Sequence, residues 1–385
     1  MSMTTLTSRL PAALKATAVL ALVAATAGCS FFGGGAAKPE PTALQAVSGT
    51  VVARQAWVAR LGPVNFPLEV QVVGNNVFMA ATDGTVAAID ARTGGDVWRT
   101  SVKAPIAAGV GSDGKLAAVV TTGNDVVALD NGREIWRQRL TAQAYTAPLV
   151  AGGRVFILAA DRSVSAFDGQ TGGKLWTQQR PNEPLVLRQS GVMLAVGDTL
   201  VVGLAGRLAG LNPSNGSVRW EAPIASPRGI NDVERLVDLV GRVSRNGDVV
   251  CARAFQASVG CVNTARGSLV WTKAANGSQG VHGDDRFVFG TESDGVVQAW
   301  RRTDGERAWT TDRLKYRELT APLVIGRSVA VGDFAGYIHL LSREDGSLFN
   351  RMATDGSAIA ASPVLAGNAL VAVTRNGGVY GFVPE

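Results

Sequence analysis

The sequence predicts an all-β fold, an eight-bladed β-propeller of four-stranded antiparallel blades. A pattern of short strands and Gly turns recurs at intervals of about 40 residues, which is typical of propellers. Each copy ends in a large aromatic residue, and the two ends of the chain carry complementary parts of one blade. The 46 Gly residues of the 385-residue chain fit a fold with many turns.

The clearest copy of the repeat runs from Asp161 to Trp176 and reads DRSVSAFDGQTGGKLW. It contains a turn, a short alternating strand, a second turn at Thr171-Gly172-Gly173 and a strand that ends in Trp. The aromatic residues in phase with Trp176 are Trp57, Trp98, Trp136, Trp220, Trp271, Trp309 and Phe349. We predict that each ring packs against the neighbouring blade, contributing ~4–6 kcal/mol at most. Their regular phase disfavours the alternative that they stack on a cofactor.

The ends of the chain predict how the ring closes. Residues 51–60 place Trp57 in phase but supply one strand, and nothing before them supplies the rest of a blade. Residues 361–383 supply three strands and then the chain stops. We expect the N-terminal strand to complete the last blade, which removes two exposed sheet edges.

The amino terminus reads as a targeting segment. Residues 1–28 combine Arg9 and Lys15 with an apolar run that is short for a membrane span. The segment ends in AATAG-Cys29, similar to a bacterial lipobox, although Thr26 stands where a Leu-like residue is usual. We predict a lipoprotein signal peptide (1–28), lipid attachment at Cys29 with a flexible tether (29–43) and a propeller (44–385). An ordinary signal peptide with an incidental Cys is the alternative.

Charge and composition disfavour several function classes. Loss of residues 1–28 leaves 35 Lys and Arg against 31 Asp and Glu, a net charge of +4 without a basic run, which disfavours nucleic-acid binding. His282 and His339 lie in different repeats, and no His-x-x-His or Cys-x-x-Cys spacing indicates zinc. No Gly-x-Ser-x-Gly nucleophile motif is present. We therefore predict no catalytic residue, no metal and no cofactor.

Two further cysteines lie in the fifth blade. Cys251 and Cys261 flank a turn at residues 255–258 and should lie on adjacent antiparallel strands. A symmetric hairpin would pair Cys251 with Val262, so a disulfide to Cys261 would need a bulge or a different turn. The sequence alone does not decide whether this disulfide forms.

The repeat has a known relative. Its Asp-Gly, Thr-Gly and Trp positions resemble the PQQ-like repeat, which quinoprotein dehydrogenases share with non-catalytic propellers. The lipobox, the short tether and eight blades over residues 44–385 are similar to the layout of the BamB family of lipoproteins. This resemblance implies a non-catalytic scaffold at the periplasmic face of the outer membrane, which docks the periplasmic region of BamA and assists the assembly of outer-membrane proteins. The alternatives are a PQQ- and Ca²⁺-dependent dehydrogenase, whose vicinal Cys pair is absent here, and a ligand-binding propeller.

Two intervals between successive aromatic positions are longer than the rest. The interval that ends at Trp220 is 44 residues long, and the one that ends at Trp271 is 51 residues long. Extended loops of a repeat scaffold often carry function. The family resemblance implies that the first segment contacts BamA through Leu185, Leu187 and Arg188, and the second through Arg235 and Asp238. Val240 stands where the family has a second acidic residue.

Both segments also have purely structural interpretations. Leu185 and Leu187 could form the core face of an innermost strand. Ile230, Val233, Val237 and Val240 could lie on one face of a short helix.

Overall fold

The computed structural model describes residues 39–47, 49, 52–179, 185–227 and 236–385, and its strands lie in a compact unit, Pro41–Glu385. They form eight separate four-stranded sheets, in which neighbouring strands run antiparallel. No helix occurs in these ranges. The predicted eight-bladed all-β propeller is confirmed.

Seven blades are built from consecutive strands. The first strand, β1 (Ala53–Arg60), belongs to the last blade. Blade 1 contains β2 (Gln71–Val73), β3 (Asn76–Ala80), β4 (Thr85–Asp90) and β5 (Asp96–Ser101); blade 2 contains β6 (Ile106–Ser112), β7 (Leu116–Thr121), β8 (Asp125–Asp130) and β9 (Arg133–Arg139). Blade 3 contains β10 (Leu149–Ala151), β11 (Arg154–Leu158), β12 (Val164–Asp168) and β13 (Lys174–Gln178); blade 4 contains β14 (Met193–Val196), β15 (Thr199–Leu204), β16 (Arg207–Leu211) and β17 (Val218–Pro223). Blade 5 contains β18 (Leu239–Asn246), β19 (Val249–Ala254), β20 (Ser258–Asn263) and β21 (Ser268–Ala274); blade 6 contains β22 (Val281–Gly283), β23 (Phe287–Thr291), β24 (Val297–Arg301) and β25 (Arg307–Thr311). Blade 7 contains β26 (Leu323–Ile325), β27 (Ser328–Gly332), β28 (Tyr337–Ser342) and β29 (Leu348–Ala353).

Blade 8 joins the two ends of the chain. Its strands are β30 (Val364–Ala366), β31 (Ala369–Val373), β32 (Gly378–Pro384) and, as the outermost strand, β1 (Ala53–Arg60). β1 pairs with β32 from Ala53 opposite Pro384 to Arg60 opposite Gly378. The fourth strand of this blade therefore comes from the amino terminus, and no turn links it to the third.

Alternating strand directions give the ring two faces. One side of the ring carries the turns between the second and third strands and the connections from one blade to the next, and we call it the loop face. The turn face is the opposite side, with the turns between first and second and between third and fourth strands. The middle strands of the blades supply the core, as in β7, where Leu116–Thr121 are all buried.

The turns between third and fourth strands show why the repeat needs its Asp and Gly. Asp168 Oδ1 accepts hydrogen bonds from the backbone N–H of Gln170 (3.1 Å) and Thr171 (2.8 Å). The bonds from the Thr171 amide and hydroxyl lower the pKa of the Asp168 carboxyl. Gly172 follows with φ +72°, a conformation that favours glycine. The repeat motif is thus local turn chemistry.

The same glycine also meets the preceding blade. A Cβ on Gly172 would lie 2.7 Å from the Trp136 ring, so the indole covers a position where only glycine fits. The equivalent pairs are Trp57 with Gly94, Trp98 with Gly132, Trp176 with Gly216, Trp220 with Gly267, Trp271 with Gly305 and Trp309 with Gly346. The Nε1 atoms of Trp57, Trp136, Trp176, Trp271 and Trp309 donate to backbone carbonyls of the next blade at 2.7–2.9 Å. We call these contacts the indole–glycine seam.

Phe349 occupies the Trp position of blade 7, where the next blade has no turn between third and fourth strands. It packs half-buried among residues of blades 7 and 8, and the Arg327 guanidinium lies 5.5 Å from its ring centroid. A Trp here would have an indole N–H without the turn carbonyl that accepts its hydrogen bond at the other junctions. A phenyl ring fills the position and has no N–H group to satisfy.

The cysteine hairpin of blade 5 differs from the predicted register. Cys251 lies directly opposite Cys261, and Val250 lies opposite Val262. The turn occupies three residues, Phe255–Ala257, between paired Ala254 and Ser258. The predicted pairing of Cys251 with Val262 is therefore wrong by one residue. The two cysteines form a disulfide with a Cα–Cα distance of 3.9 Å, and no bulge separates them.

Candidate functional site on the loop face

The two stretched segments meet on the loop face. Asp238 lies in the connection from blade 4 to blade 5, and Leu187 lies in the connection from blade 3 to blade 4. Asp238 Oδ2 accepts a hydrogen bond of 3.0 Å from the Leu187 backbone N–H. Behind them, Gly241 N–H donates to the Ser190 carbonyl (2.9 Å), and Gly191 bridges to Val240. Residues 51 positions apart in the chain therefore form one surface.

A third residue, Arg162, links both segments and was missed from the sequence. Its Nη2 donates to Asp238 Oδ1 (3.1 Å) and to the Leu185 carbonyl (3.2 Å). The Arg162 and Asp238 side chains are only 9% and 16% exposed, so water screens this ion pair weakly. The pair positions the backbone of residues 185–187.

Arg162 breaks the pattern of its own turn. It has φ +60° in the turn between second and third strands of blade 3, where the equivalent residues include Gly84, Asn124 and Gly295. A long side chain rarely adopts this conformation, which is costly without compensating contacts. An Arg at a position that usually holds Gly or Asn was the signal that could have revealed it.

The side chains presented to solvent are those of the first segment. Leu185 is 40% exposed, Leu187 is half-buried and Arg188 is exposed. The Arg188 guanidinium lies 5.7 Å from the centroid of the Tyr145 ring, another contact that the sequence did not reveal. Together these residues form an apolar and cationic surface supported by the Arg162–Asp238 pair.

The structure contradicts the purely structural interpretations of these two segments. Residues 185–190 have no strand structure, and the innermost strand of blade 4 starts later, at Met193, so the core-strand interpretation of Leu185 and Leu187 is wrong. Val240 is buried within strand β18, which contradicts a helix that includes it. Arg235, Ile230, Val233 and Cys29 lie outside the described residues.

The site does not have the form of a small-molecule pocket. The cavity whose lining includes Tyr145, Arg162, Leu187 and Asp238 has a volume of about 50 Å³. Ligand pockets usually measure ~300–1,000 Å³. No group of three or more His, Cys, Asp or Glu side chains that could hold a metal occurs among the residues described. A cavity of this size suits a contact surface better than a pocket for a small molecule.

The central channel holds polar contacts of a different kind. Arg242 of blade 5 reaches across to blade 8, where its Nη1 donates to Ser362 Oγ (2.9 Å) and the Pro363 carbonyl (2.8 Å). Nearby, His282 Nδ1 accepts a hydrogen bond from Val324 N–H (3.1 Å). Burial, with the charges of Arg242 and Arg302, lowers the pKa of His282 from 6.5 to about 3. His282 is therefore neutral and acts as a fixed acceptor between blades 6 and 7.

Nothing helical in the described ranges has the length and apolarity to traverse a bilayer.

Comparison with known proteins identifies the family. The family model described as "Outer membrane protein assembly factor BamB" matches residues 82–311. The chain is 39% identical to the outer membrane protein assembly factor BamB of Burkholderia pseudomallei, over 91% of this chain and 93% of the relative. It is 35% identical to that of Bordetella pertussis, over 96% and 97%. The crystal structure of BamB from Moraxella catarrhalis has the same fold, with a TM-score of 0.79 and 24% identity over 86% of this chain and all of that one. The chain belongs to the BamB family of outer membrane protein assembly factors.

Proposed function

We propose that this protein is a non-catalytic scaffold subunit of the machinery that assembles β-barrel proteins in the outer membrane. The names of its relatives support this role over that of a PQQ-dependent dehydrogenase, because they are called assembly factors. Its loop face docks the periplasmic region of BamA, and through BamA the protein joins the other subunits. The observation that carries this proposal is the Arg162–Asp238 pair, which fixes the segment that presents Leu185, Leu187 and Arg188.

The arrangement suits protein binding for energetic reasons. Arg is enriched among the residues that dominate binding energy, and neighbouring apolar side chains such as Leu185 and Leu187 exclude water around it. Their backbone is already held by Asp238 and Arg162, so less conformational entropy is lost when a partner binds. Arg188 is exposed and can pair with an acidic group of BamA, which favours correct orientation and rapid association. Arg235 belongs to the proposed surface by resemblance alone.

Localisation follows from the proposed lipid anchor. Cleavage after residue 28 and acylation of Cys29 would attach the protein to the outer membrane at its periplasmic face. Each buried CH₂ contributes ~0.8 kcal/mol, so several acyl chains hold a protein almost irreversibly. Residues 29–43 would then serve as the tether and residues 44–385 as the propeller.

A pull-down tests the docking surface. Tagged wild type and the Arg188→Glu variant are purified from detergent-solubilised envelopes, and co-purified BamA is quantified. Arg307→Glu is the matched control, because Arg307 is also exposed but lies on the outer strand of blade 6. We expect Arg188→Glu to lose about tenfold or more of the bound BamA, as for a central charged residue of an interface. Equal recovery with both variants would rule out this surface.

A further inference from the structure

The segment before the first strand is bound to the propeller. Residues 42–47 and 49, the described part of this segment, lie along the outer side of blades 6 and 7. Thr42 N–H donates to the Lys315 carbonyl (3.0 Å), and Gly49 N–H donates to the Phe349 carbonyl on β29 (2.9 Å). We call this segment the strap. Its two ends are fixed by backbone hydrogen bonds to blade 7 and to the connection that precedes it.

Three arginines hold the strap between these ends. Arg317 Nη1 donates to the Thr42 carbonyl (3.2 Å), and Arg351 Nη2 donates to the Gln45 carbonyl (2.8 Å). Arg313 Nη1 donates to Gln45 Oε1 (2.7 Å). Charged donors strengthen such hydrogen bonds.

Arg317 is itself positioned by a buried carboxylate. Its Nη2 lies 2.7 Å from Asp333 Oδ2, which also contacts His339 Nε2 at 2.9 Å. Burial opposes ionisation of Asp333, but hydrogen bonds from His339 and neighbouring donors lower the pKa of its carboxyl. A charged pair under the loop face thus fixes the guanidinium that holds Thr42.

Apolar packing adds to these polar contacts. Val47 is half-buried against the core cluster shared by blades 6 and 7, which includes Phe287, Trp309 and Leu348. Its neighbour Ala46 is exposed. Val47 is therefore an inward side chain of the strap that can be altered without changing the propeller itself.

The strap runs from one face of the ring to the other. Thr42 lies beside Lys315 and Arg317, in the connection from blade 6 to blade 7 on the loop face. Gly49 lies beside Phe349, near the start of β29 and toward the turn face. β1 then begins at the turn face, where Ala53 pairs with Pro384. The chain thus enters at the loop face, descends along the wall and only then forms β1.

We propose that the strap determines which face of the propeller the lipid anchor draws toward the membrane. This inference rests on the proposed acylation of Cys29. With the strap bound, the tether from Cys29 to Thr42 consists of 13 peptide links. They span at most about 45 Å and start from the loop face, which also carries the proposed BamA surface. With the strap released, the tether starts from Ala53 on the turn face and its 24 residues reach about 80 Å.

Strap binding is tested first by amide hydrogen exchange on the mature lipoprotein in detergent. We compare wild type with Val47→Asp, which places a charge against the apolar cluster, and with Ala46→Asp, which adds the same charge at an exposed position. Exchange at Gly49 should be at least about tenfold faster in Val47→Asp than in the other two proteins. Equally fast exchange at Gly49 in all three proteins would mean that the strap is not bound to the propeller.

Orientation is tested on vesicles. A donor fluorophore is attached at Thr122→Cys on the loop face or Lys115→Cys on the turn face, both exposed positions of blade 2, and energy transfer to acceptor lipids is measured. Wild type and Ala46→Asp should show stronger transfer from Thr122→Cys than from Lys115→Cys, and Val47→Asp should lose or reverse this difference. Val47→Asp could speed exchange at Gly49 and still leave the difference in energy transfer between the two labelled positions unchanged. That result would contradict the role of the strap in orientation but not its binding to the propeller. Wild type that fails to bind vesicles would instead overturn acylation of Cys29, and the orientation role with it.

Discussion

The indole–glycine seam and the loop-face site are built by opposite means. The seam recurs at seven blade junctions, and each copy uses residues at fixed positions of the repeat. The loop-face site occurs once and joins Arg162, Leu187 and Asp238, which come from three different parts of the chain. One region repeats a stabilising contact, and the other departs from the repeat to make a unique surface.

This difference separates the contacts that stabilise the repeat from the surface that we propose binds a partner. In such proteins each unit is stabilised mainly by its nearest neighbours, so a contact needed at every junction becomes part of the repeat. A partner-binding surface needs features found nowhere else on the ring. The Arg162 side chain, at a turn position that holds Gly84 and Asn124 in other blades, departs from the repeat in this way, and so do the lengthened connections before blades 4 and 5.

Removal of one seam indole should have the largest effect on stability. Trp271 is buried, donates to the Arg302 carbonyl (2.8 Å) and covers Gly305. We expect Trp271→Ala to reduce the free energy of unfolding by ~3–5 kcal/mol, because it leaves a cavity and an unpaired carbonyl. Urea denaturation followed by circular dichroism measures this change.

The neighbouring residue provides the control for the seam. Val270 precedes Trp271 on the same strand but is 44% exposed. Val270→Ala should change the free energy of unfolding by less than ~0.5 kcal/mol. Similar losses in both variants would mean that the outer strand as a whole, and not the indole, stabilises the junction.

The seam could be predicted from the sequence because its signal is periodic. The Trp positions, the Thr-Gly turns and the complementary chain ends follow from local chemistry repeated along the chain. The disulfide register was not predictable, because the number of residues in the turn at 255–257 shifts the pairing by one position. The sequence showed neighbouring cysteines but not their alignment.

The loop-face site was only partly predictable. The stretched spacing and the family resemblance pointed to Leu185, Leu187, Arg188 and Asp238, and the structure brings these segments together. Arg162 lies in the best-preserved copy of the repeat, where it looked like an ordinary turn residue. Its role depends on the approach of three neighbouring blades, which no single repeat encodes.

Removal of the Asp238 carboxylate should affect binding more than stability. Asp238→Ala deletes the acceptor for Leu187 N–H and removes the carboxylate that pairs with Arg162 Nη2. We expect a loss of ~1–3 kcal/mol in the free energy of unfolding, less than for Trp271→Ala. Hydrogen exchange at Leu187 should become faster, and BamA recovery should fall.

An acidic residue on the opposite face serves as the control for Asp238. Asp248 is exposed and lies in the turn between the first two strands of blade 5. Asp248→Ala should leave Leu187 exchange and BamA recovery unchanged. Normal recovery of BamA with Asp238→Ala would mean that the Arg162–Asp238 pair does not contribute to partner binding. The pair would then have a purely structural role.

His282 offers the smallest test, because it is neither a repeated seam residue nor part of the loop-face site. Its pKa is lowered from 6.5 to about 3, so the unfolded chain binds a proton that the folded protein does not. The resulting stability is present above pH 6.5 and is lost as the pH falls toward 3, by at most ~1.4 kcal/mol per pH unit. Other buried groups titrate as well: burial raises the pKa of Glu69 and lowers that of His339.

A comparison with His282→Asn isolates this contribution. The Asn side chain retains an acceptor for Val324 N–H but does not titrate in this range. Between pH 6 and 4.5, the free energy of unfolding of wild type should fall more steeply than that of the variant, with a difference in slope up to ~1.4 kcal/mol per pH unit. Parallel slopes would mean that His282 becomes protonated in the folded protein. BamA recovery at pH 7 should be equal for both proteins, because a channel contact that stabilises two blades lies away from the proposed partner-binding surface.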